Sequence, residues 1–173
     1  DLEFKKLIAI LRISLPYTGI ILSTREDADL RNELFAYGVS QISAGSKTNP
    51  GGYRKDQKEE SQFSLGDHRS LHEVIEEMVE GGYVPSFCTG CYRMGRVGAD
   101  FMDLAKPGLI KKYCLPNGLS SFAEYLHDYA PEELKTQGLE LIETIAAEQP
   151  EKIAEMIAAN TAKVDAGERG LYV

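Results

Sequence analysis

Cys88, Cys91 and Cys114 are the only cysteines in 173 residues, and they are spaced C-x2-C-x22-C. Two thiolates on one tight turn can grip a single metal centre, but a third one so far along the chain joins them only if the backbone doubles back. The glycine-punctuated segment Tyr92 to Gly98 and the helix-like stretch from Ala99 make that return feasible. Structural zinc takes four ligands, usually from two such pairs or from a Cys pair and a His pair. No second cysteine pair follows, so a zinc finger fits poorly. Three thiolates suit an iron-sulfur cluster that keeps one iron open to another ligand. On spacing alone three other readings stay open. These are a zinc site, a thioredoxin-like redox pair in which Cys91 opens a helix after a strand, and two turn cysteines with an unrelated small apolar one.

Composition narrows the partners. A formal net charge of -8 argues against broad nucleic-acid binding, which needs a basic face. Basic residues do gather locally at Arg93, Arg96, Lys106, Lys111 and Lys112, where they either offset thiolate charge or form a solvated rim. With 43% apolar residues the chain can bury a core. No apolar run approaches the roughly 18 residues of a membrane span, and no signal segment opens the chain, so the expectation is a cytoplasmic protein without membrane contact. An odd, clustered cysteine set fits a reducing compartment better than a disulfide scaffold.

Read in order, Leu2, Phe4, Leu7, Ile8 and Leu11 recur at helical spacing and predict an opening helix with one buried face, stopped by Pro16. Gly19 to Leu22 and Val39 to Ile42 predict strands, with a helix from about Asp27 to Tyr37 between them and Gly38 as its stop. Ser43 to Tyr53 is rich in turn formers and predicts a long loop. Arg54 to Glu60 reads as solvated surface and Gln62 to Leu65 as a short extra strand. Ser70-Leu71-His72-Glu73 has the capping-box pattern for a helix running to Gly81-Gly82, and Tyr83 to Phe87 predicts a third strand ending at Cys88. Pro116-Asn117-Gly118 predicts a turn, and Ser121 to Glu124 a second capping box. Pro131 and Pro150 then open two amphipathic helices, and Leu171 to Val173 forms a docking tail. His68, His72 and His127 read as scaffold. Alternating helices and strands predict parallel β/α units, whose strand-end loops share one face. Ser23, Arg25, Ser43, Ser46 and the cysteine turn are expected to meet there.

Several segments are recognisable together: Leu15 to Gly19 with Ser23-Thr24-Arg25, then Ile42 to Tyr53. They resemble the second half of the aromatic-amino-acid lyase branch of radical S-adenosylmethionine enzymes, which includes the ThiH-type tyrosine lyases of thiamine biosynthesis and the HydG-type maturases of FeFe-hydrogenase. Pro85 to Arg93, Phe101-Met102 and Cys114 resemble the cluster motif of the HydG type, which the thiamine enzymes lack. The resemblance implies an α/β fold: the second half of a β/α (TIM-type) barrel over residues 1–87, then a helical cluster-binding domain over 88–173. It implies that Cys88, Cys91 and Cys114 ligate an auxiliary 4Fe-4S cluster whose open iron site receives an extra iron with free cysteine. That extra iron would take a histidine from upstream of Asp1. Arg25 and Ser23 would bind the tyrosine carboxylate, which suits a bidentate guanidinium, and Ser43 and Ser46 would contact tyrosine or S-adenosylmethionine. A C-x3-C-x2-C motif for a second 4Fe-4S cluster and S-adenosylmethionine is absent from these residues and would belong to a missing first half. The activity implied is cleavage of tyrosine to p-cresol and dehydroglycine, then conversion of the latter to CO and cyanide on iron for H-cluster assembly. The other hydrogenase maturation proteins would be its partners. The fragment itself is not expected to be active alone.

Overall fold

A computed structural model of the chain describes residues 1–54 and 63–173. The expected solvated stretch from 55 to 60 and the start of the expected strand at Gln62 lie outside the described residues; Phe63 to Leu65 is not strand. The chain divides into two compact units, 1–74 and 75–173.

In the first unit, helix α1 (Leu2–Ser14) precedes strand β1 (Ile21–Leu22), helix α2 (Ala28–Glu33) and strand β2 (Gln41–Ile42). Asp27 caps α2 by accepting the Leu30 N–H at 2.9 Å, which satisfies one of the orphan donors of a helix start. The strands pair in parallel, Ile21 with Gln41 and Leu22 with Ile42. Ile8, Leu22, Leu30, Leu34 and Val39 form the core. Gly38 ends the α2 turn at φ +103°, where the Arg12 side chain packs so closely that a Cβ would stand 2.7 Å from its Cγ. The opening helix departs from expectation on its apolar face. Ile8 is buried and Phe4 half-buried, but Leu2, Leu7 and Leu11 are exposed.

Helix α3 (Leu71–Glu80) begins in the first unit and ends in the second. Its capping box is closed in both directions: the Ser70 N–H donates to Glu73 Oε2 at 2.7 Å and the Glu73 N–H to Ser70 Oγ at 3.3 Å.

The second unit is helical: α4 (Gly90–Arg93), α5 (Gly98–Ala105), α6 (Lys111–Asp128), α7 (Glu132–Ala147) and α8 (Glu151–Asp165). Pro131 and Pro150 stand at the N-caps of α7 and α8, extended just before the first helical residue. The core joins Ile75 and Val79 to Leu119, Phe122, Leu134 and Ile157, with further aliphatic residues around them. Gly138 lets α7 approach α6; a Cβ there would meet Leu126 Cδ1 at 2.6 Å.

Three expectations are overturned here. Tyr83 to Phe87 is not a strand. Buried Pro85 has no N–H to give a ladder, and the Phe87 N–H goes instead to the Ser121 hydroxyl on α6 at 3.1 Å. Pro116-Asn117-Gly118 is no turn, and Ser121 to Glu124 caps nothing, because α6 runs through all of them. Packing outweighs local preference in this segment. Pro116, Asn117 and Gly118 are buried, and Gly118 leaves room for the Ser86 side chain, 3.5 Å from where its Cβ would be. The α/β character therefore comes down to one two-stranded parallel sheet in a mostly helical chain, and no barrel is seen among the described residues. No described helix is long and apolar enough to cross a membrane.

Candidate metal centre

Cys88 precedes α4, Cys91 lies within it, and Cys114 lies in the first turn of α6. The turn that carries the first pair is built from main-chain bonds to side chains. The Cys88 N–H donates to Ser86 Oγ at 3.3 Å, and the Gly90 N–H donates to the Cys88 sulfur at 3.3 Å. Gly90 is buried, and a Cβ there would stand 2.8 Å from Asn117 Nδ2 and 3.1 Å from the Tyr172 Cβ. Glycine in the C-x-x-C is thus a packing requirement.

Cys114 lies within electrostatic range of Cys88 and Cys91. The Cys114 thiol is pushed up by burial, then further by the nearby Cys91 and Cys88 sulfurs, and is drawn down in part by the Arg96 guanidinium. All three cysteines are free; Cys91 is half-buried, and Cys88 and Cys114 are exposed as whole residues, although enough protein surrounds the Cys114 sulfur for burial to raise its thiol. Among the described residues no group of three His, Cys, Asp or Glu is arranged to hold a single metal ion. That includes His68 and His72, spaced as H-x3-H. A mononuclear site needs all its donors on one atom, whereas the thiolates of a cluster each bind a different iron and stand further apart. The chemistry of the set, three soft sulfurs and an adjacent cation, is compatible with an iron-sulfur cluster.

Arg96 is placed for that neighbourhood. Its guanidinium carbon lies 4.5 Å from the centre of the Tyr113 ring, and Nη2 donates to the Val173 main-chain oxygen at 2.6 Å. Its Nε is buried and finds no hydrogen-bond partner among the described residues. Arg93 instead lies over the Tyr172 ring at 5.4 Å. Cys114 also lines an apolar cavity of 550 Å³ between Val84, Leu115, Leu119, Pro150 and Ile153, with Lys111 and Lys112 at its wall.

The substrate residues read from the sequence are spread over the first unit. Arg25 and Ser23 are exposed; the Arg25 N–H donates to Ser23 Oγ at 3.4 Å, and the guanidinium lies 4.6 Å from the centre of the Phe63 ring. Ser46 lines a polar cavity of 390 Å³ with Lys47, Thr48, Asn49, Gly52 and His68, a lining that includes neither Arg25 nor Ser43. Ser43 is held by its main chain. Its N–H donates to Leu22 O at 3.0 Å, and its carbonyl accepts from Arg31 Nη2.

Arg31 belongs to a buried network that reading the sequence misses. It pairs with Asp67, which also receives the Arg69 side chain at 2.6 Å, and both Arg31 and Asp67 are fully buried. Burial alone pushes the Asp67 carboxyl up, but the Arg69 hydrogen bonds and the charges of Arg31 and Arg69 outweigh it and hold the carboxyl at about 2. The only sequence signal for it is the D-x-R spacing of Asp67 and Arg69.

Residues 1–84 match the Biotin and Thiamin Synthesis associated domain, a match that stops short of Cys88. The 2-iminoacetate synthases of Salmonella typhimurium and Escherichia coli are 36% and 35% identical over 78 residues, 45% of this chain and 21% of each synthase. The crystal structure of HydG, a maturase of the FeFe-hydrogenase, superposes on 100% of this chain with a TM-score of 0.91 and 44% identity. The chain spans 38% of that structure, so it represents well under half of the proteins it matches. Likeness to the synthases covers less than half of the chain, whereas likeness to the maturase extends over all of it, and the chain is accordingly similar to the FeFe-hydrogenase maturase HydG along its whole length.

Proposed function

We propose that this chain is the auxiliary-cluster portion of a HydG-type radical S-adenosylmethionine tyrosine lyase, with Cys88, Cys91 and Cys114 holding a 4Fe-4S cluster and residues 88–173 as its domain. The observation that carries the reading is the return of Cys114 into electrostatic range of Cys88 and Cys91, beside Arg96. Such a cluster supplies thiolate-bound iron with one iron left open, where an extra iron and free cysteine dock. The Gly90 N–H on the Cys88 sulfur and the Arg96 guanidinium beside Cys114 stabilise negative charge on sulfur, a recognised lever on cluster potential. In the complete protein, tyrosine would yield p-cresol and dehydroglycine, and the latter CO and cyanide for the H-cluster. S-adenosylmethionine and its own cluster would be bound by the part of such a maturase that this chain does not span. Arg25, exposed beside Ser23, is proposed to pair with the tyrosine carboxylate, and Ser43 and Ser46 to line the tyrosine or S-adenosylmethionine site.

The test is Cys88→Ser in the complete protein, reconstituted anaerobically with iron and sulfide. The auxiliary share of iron and sulfide and the CO should be lost while p-cresol formation continues. Stoichiometric zinc binding without iron and sulfide in the parent protein, or loss of both products together, would overturn the assignment. For the substrate site, Arg25→Ala should weaken tyrosine binding at unchanged cluster content.

A further inference from the structure

The last residues of the chain bridge the two pieces of backbone that carry the thiols. The side-chain amide of Asn117, one turn after Cys114 on α6, pairs with Val173 from both ends: the Val173 N–H donates to Oδ1 at 2.7 Å, and Nδ2 donates to the Val173 oxygen at 3.2 Å. The same oxygen takes Arg96 Nη2, and the same Nδ2 is the atom that buried Gly90 packs against. Glu124, two turns further along α6, accepts the Gly170 and Leu171 N–H groups at 2.7 and 3.1 Å through a single oxygen, Oε1. Arg93 covers Tyr172 and crowds Gly170, where a Cβ would stand 3.2 Å from its Nη1.

Apart from the direct packing of Gly90 on Asn117, each contact has α6 or the segment from the cysteine turn to Arg96 on one side and residues 170–173 on the other. An asparagine buried inside a helix costs helix propensity and desolvation, and here both halves of its amide are engaged by the main-chain N–H and oxygen of one residue, Val173.

We infer that Asn117 is a positioning residue for the three thiols, acting through residues 170–173, which strap the Cys88–Cys91 turn to the helix that carries Cys114. The inference rests on the cluster reading above and adds to it the residues that keep the third thiol at the right remove from the pair. Neither Asn117 nor the tail touches iron in this assignment. Their effect is on the relative placement of the sulfurs and on Arg96, whose guanidinium is anchored by the Val173 oxygen.

The test uses the complete protein with Asn117→Ala and Asn117→Asp, reconstituted with iron and sulfide. The triple Cys88→Ser, Cys91→Ser, Cys114→Ser variant defines the signal of the other cluster. Removing the amide should speed loss of the auxiliary share of iron to a chelator by about tenfold or more, as for other outer partners of metal ligands, and should shift the auxiliary cluster's paramagnetic resonance lines while the other cluster's stay unchanged. Asn117→Asp keeps the acceptor for the Val173 N–H and should fall between parent and alanine. If Asn117→Ala proves too unstable, a chain ended after Arg169 removes the strap without altering α6 and should show the same chelator sensitivity. Parent-like chelator resistance and resonance lines in Asn117→Ala or in the shortened chain would overturn the inference even if the Cys88→Ser result stands. A parent protein with no auxiliary iron would instead overturn the cluster reading.

Discussion

Residues 75–173 enclose a core between α3, α6, α7 and α8, whereas residues 1–74 gather a smaller one around two strands of two residues each. The first unit leaves Leu2, Leu7, Ile10 and Ile13 of α1 exposed, Ile13 at 80%, and Ile21 of β1 at 62%. A two-stranded ladder is marginal by itself, and each fully buried Leu, Ile or Phe contributes roughly 1.5–3 kcal/mol that exposed ones do not. The first unit compensates with charge, since Arg31, Asp67 and Arg69 tie α2 to the segment before α3 where the second unit uses aliphatic contact. Two strategies for cohesion thus sit in one chain, and they should fail under different stresses.

The largest expected effect is in the aliphatic unit. Phe122→Ala removes a ring at 0% exposure and should cost about 3–5 kcal/mol, read by denaturant unfolding, with hydrogen exchange rising in 75–173 and not in 1–74. Equal rises in both units would abolish the distinction. Acid should do the reverse. The folded Asp67 carboxyl sits at about 2, below its ordinary 3.8, so the fold favours the ionised form. Its contribution, about 2 kcal/mol, is complete above about pH 4 and disappears as pH falls toward 2. Exchange in acid should therefore rise first around Arg31 and Asp67. A pH-independent first unit would show that the network carries no net stability. Gly138→Ala should cost about 1 kcal/mol net, since the clash with Leu126 exceeds the gain in helix propensity; a rise in melting temperature would mean that α6 and α7 part easily. Ser70→Ala should cost about 1 kcal/mol and fray only the first turn of α3, visible as faster exchange at Glu73 and Val74.

Helix starts were legible because their signals are local: Asp27, Ser70 with Glu73, Pro131 and Pro150 each act on residues within one turn. The parallel pairing of Leu22 with Ile42 was also within reach, since short apolar runs on either side of a helix have few other ways to pair. Tyr83 to Phe87 and Pro116 to Gly118 were not, because their state depends on distant partners. The Ser121 hydroxyl takes the Phe87 N–H, and Val173 takes the Asn117 amide, both across separations no window of sequence contains. The cysteines were legible as a group from their exclusivity, and the resemblance gave them a role. Gly90 stood in plain view inside the motif, but its packing against Asn117 and Tyr172 needed coordinates. The Arg31–Asp67 pair stayed hidden because charged side chains 36 positions apart leave no pattern.

The main-chain anchoring of Ser43 has a practical corollary. Its amide and carbonyl are tethered to Leu22 and Arg31, so these anchors do not depend on the serine hydroxyl. Ser43→Ala would therefore test the ligand contact proposed for this hydroxyl while leaving the main-chain scaffold alone.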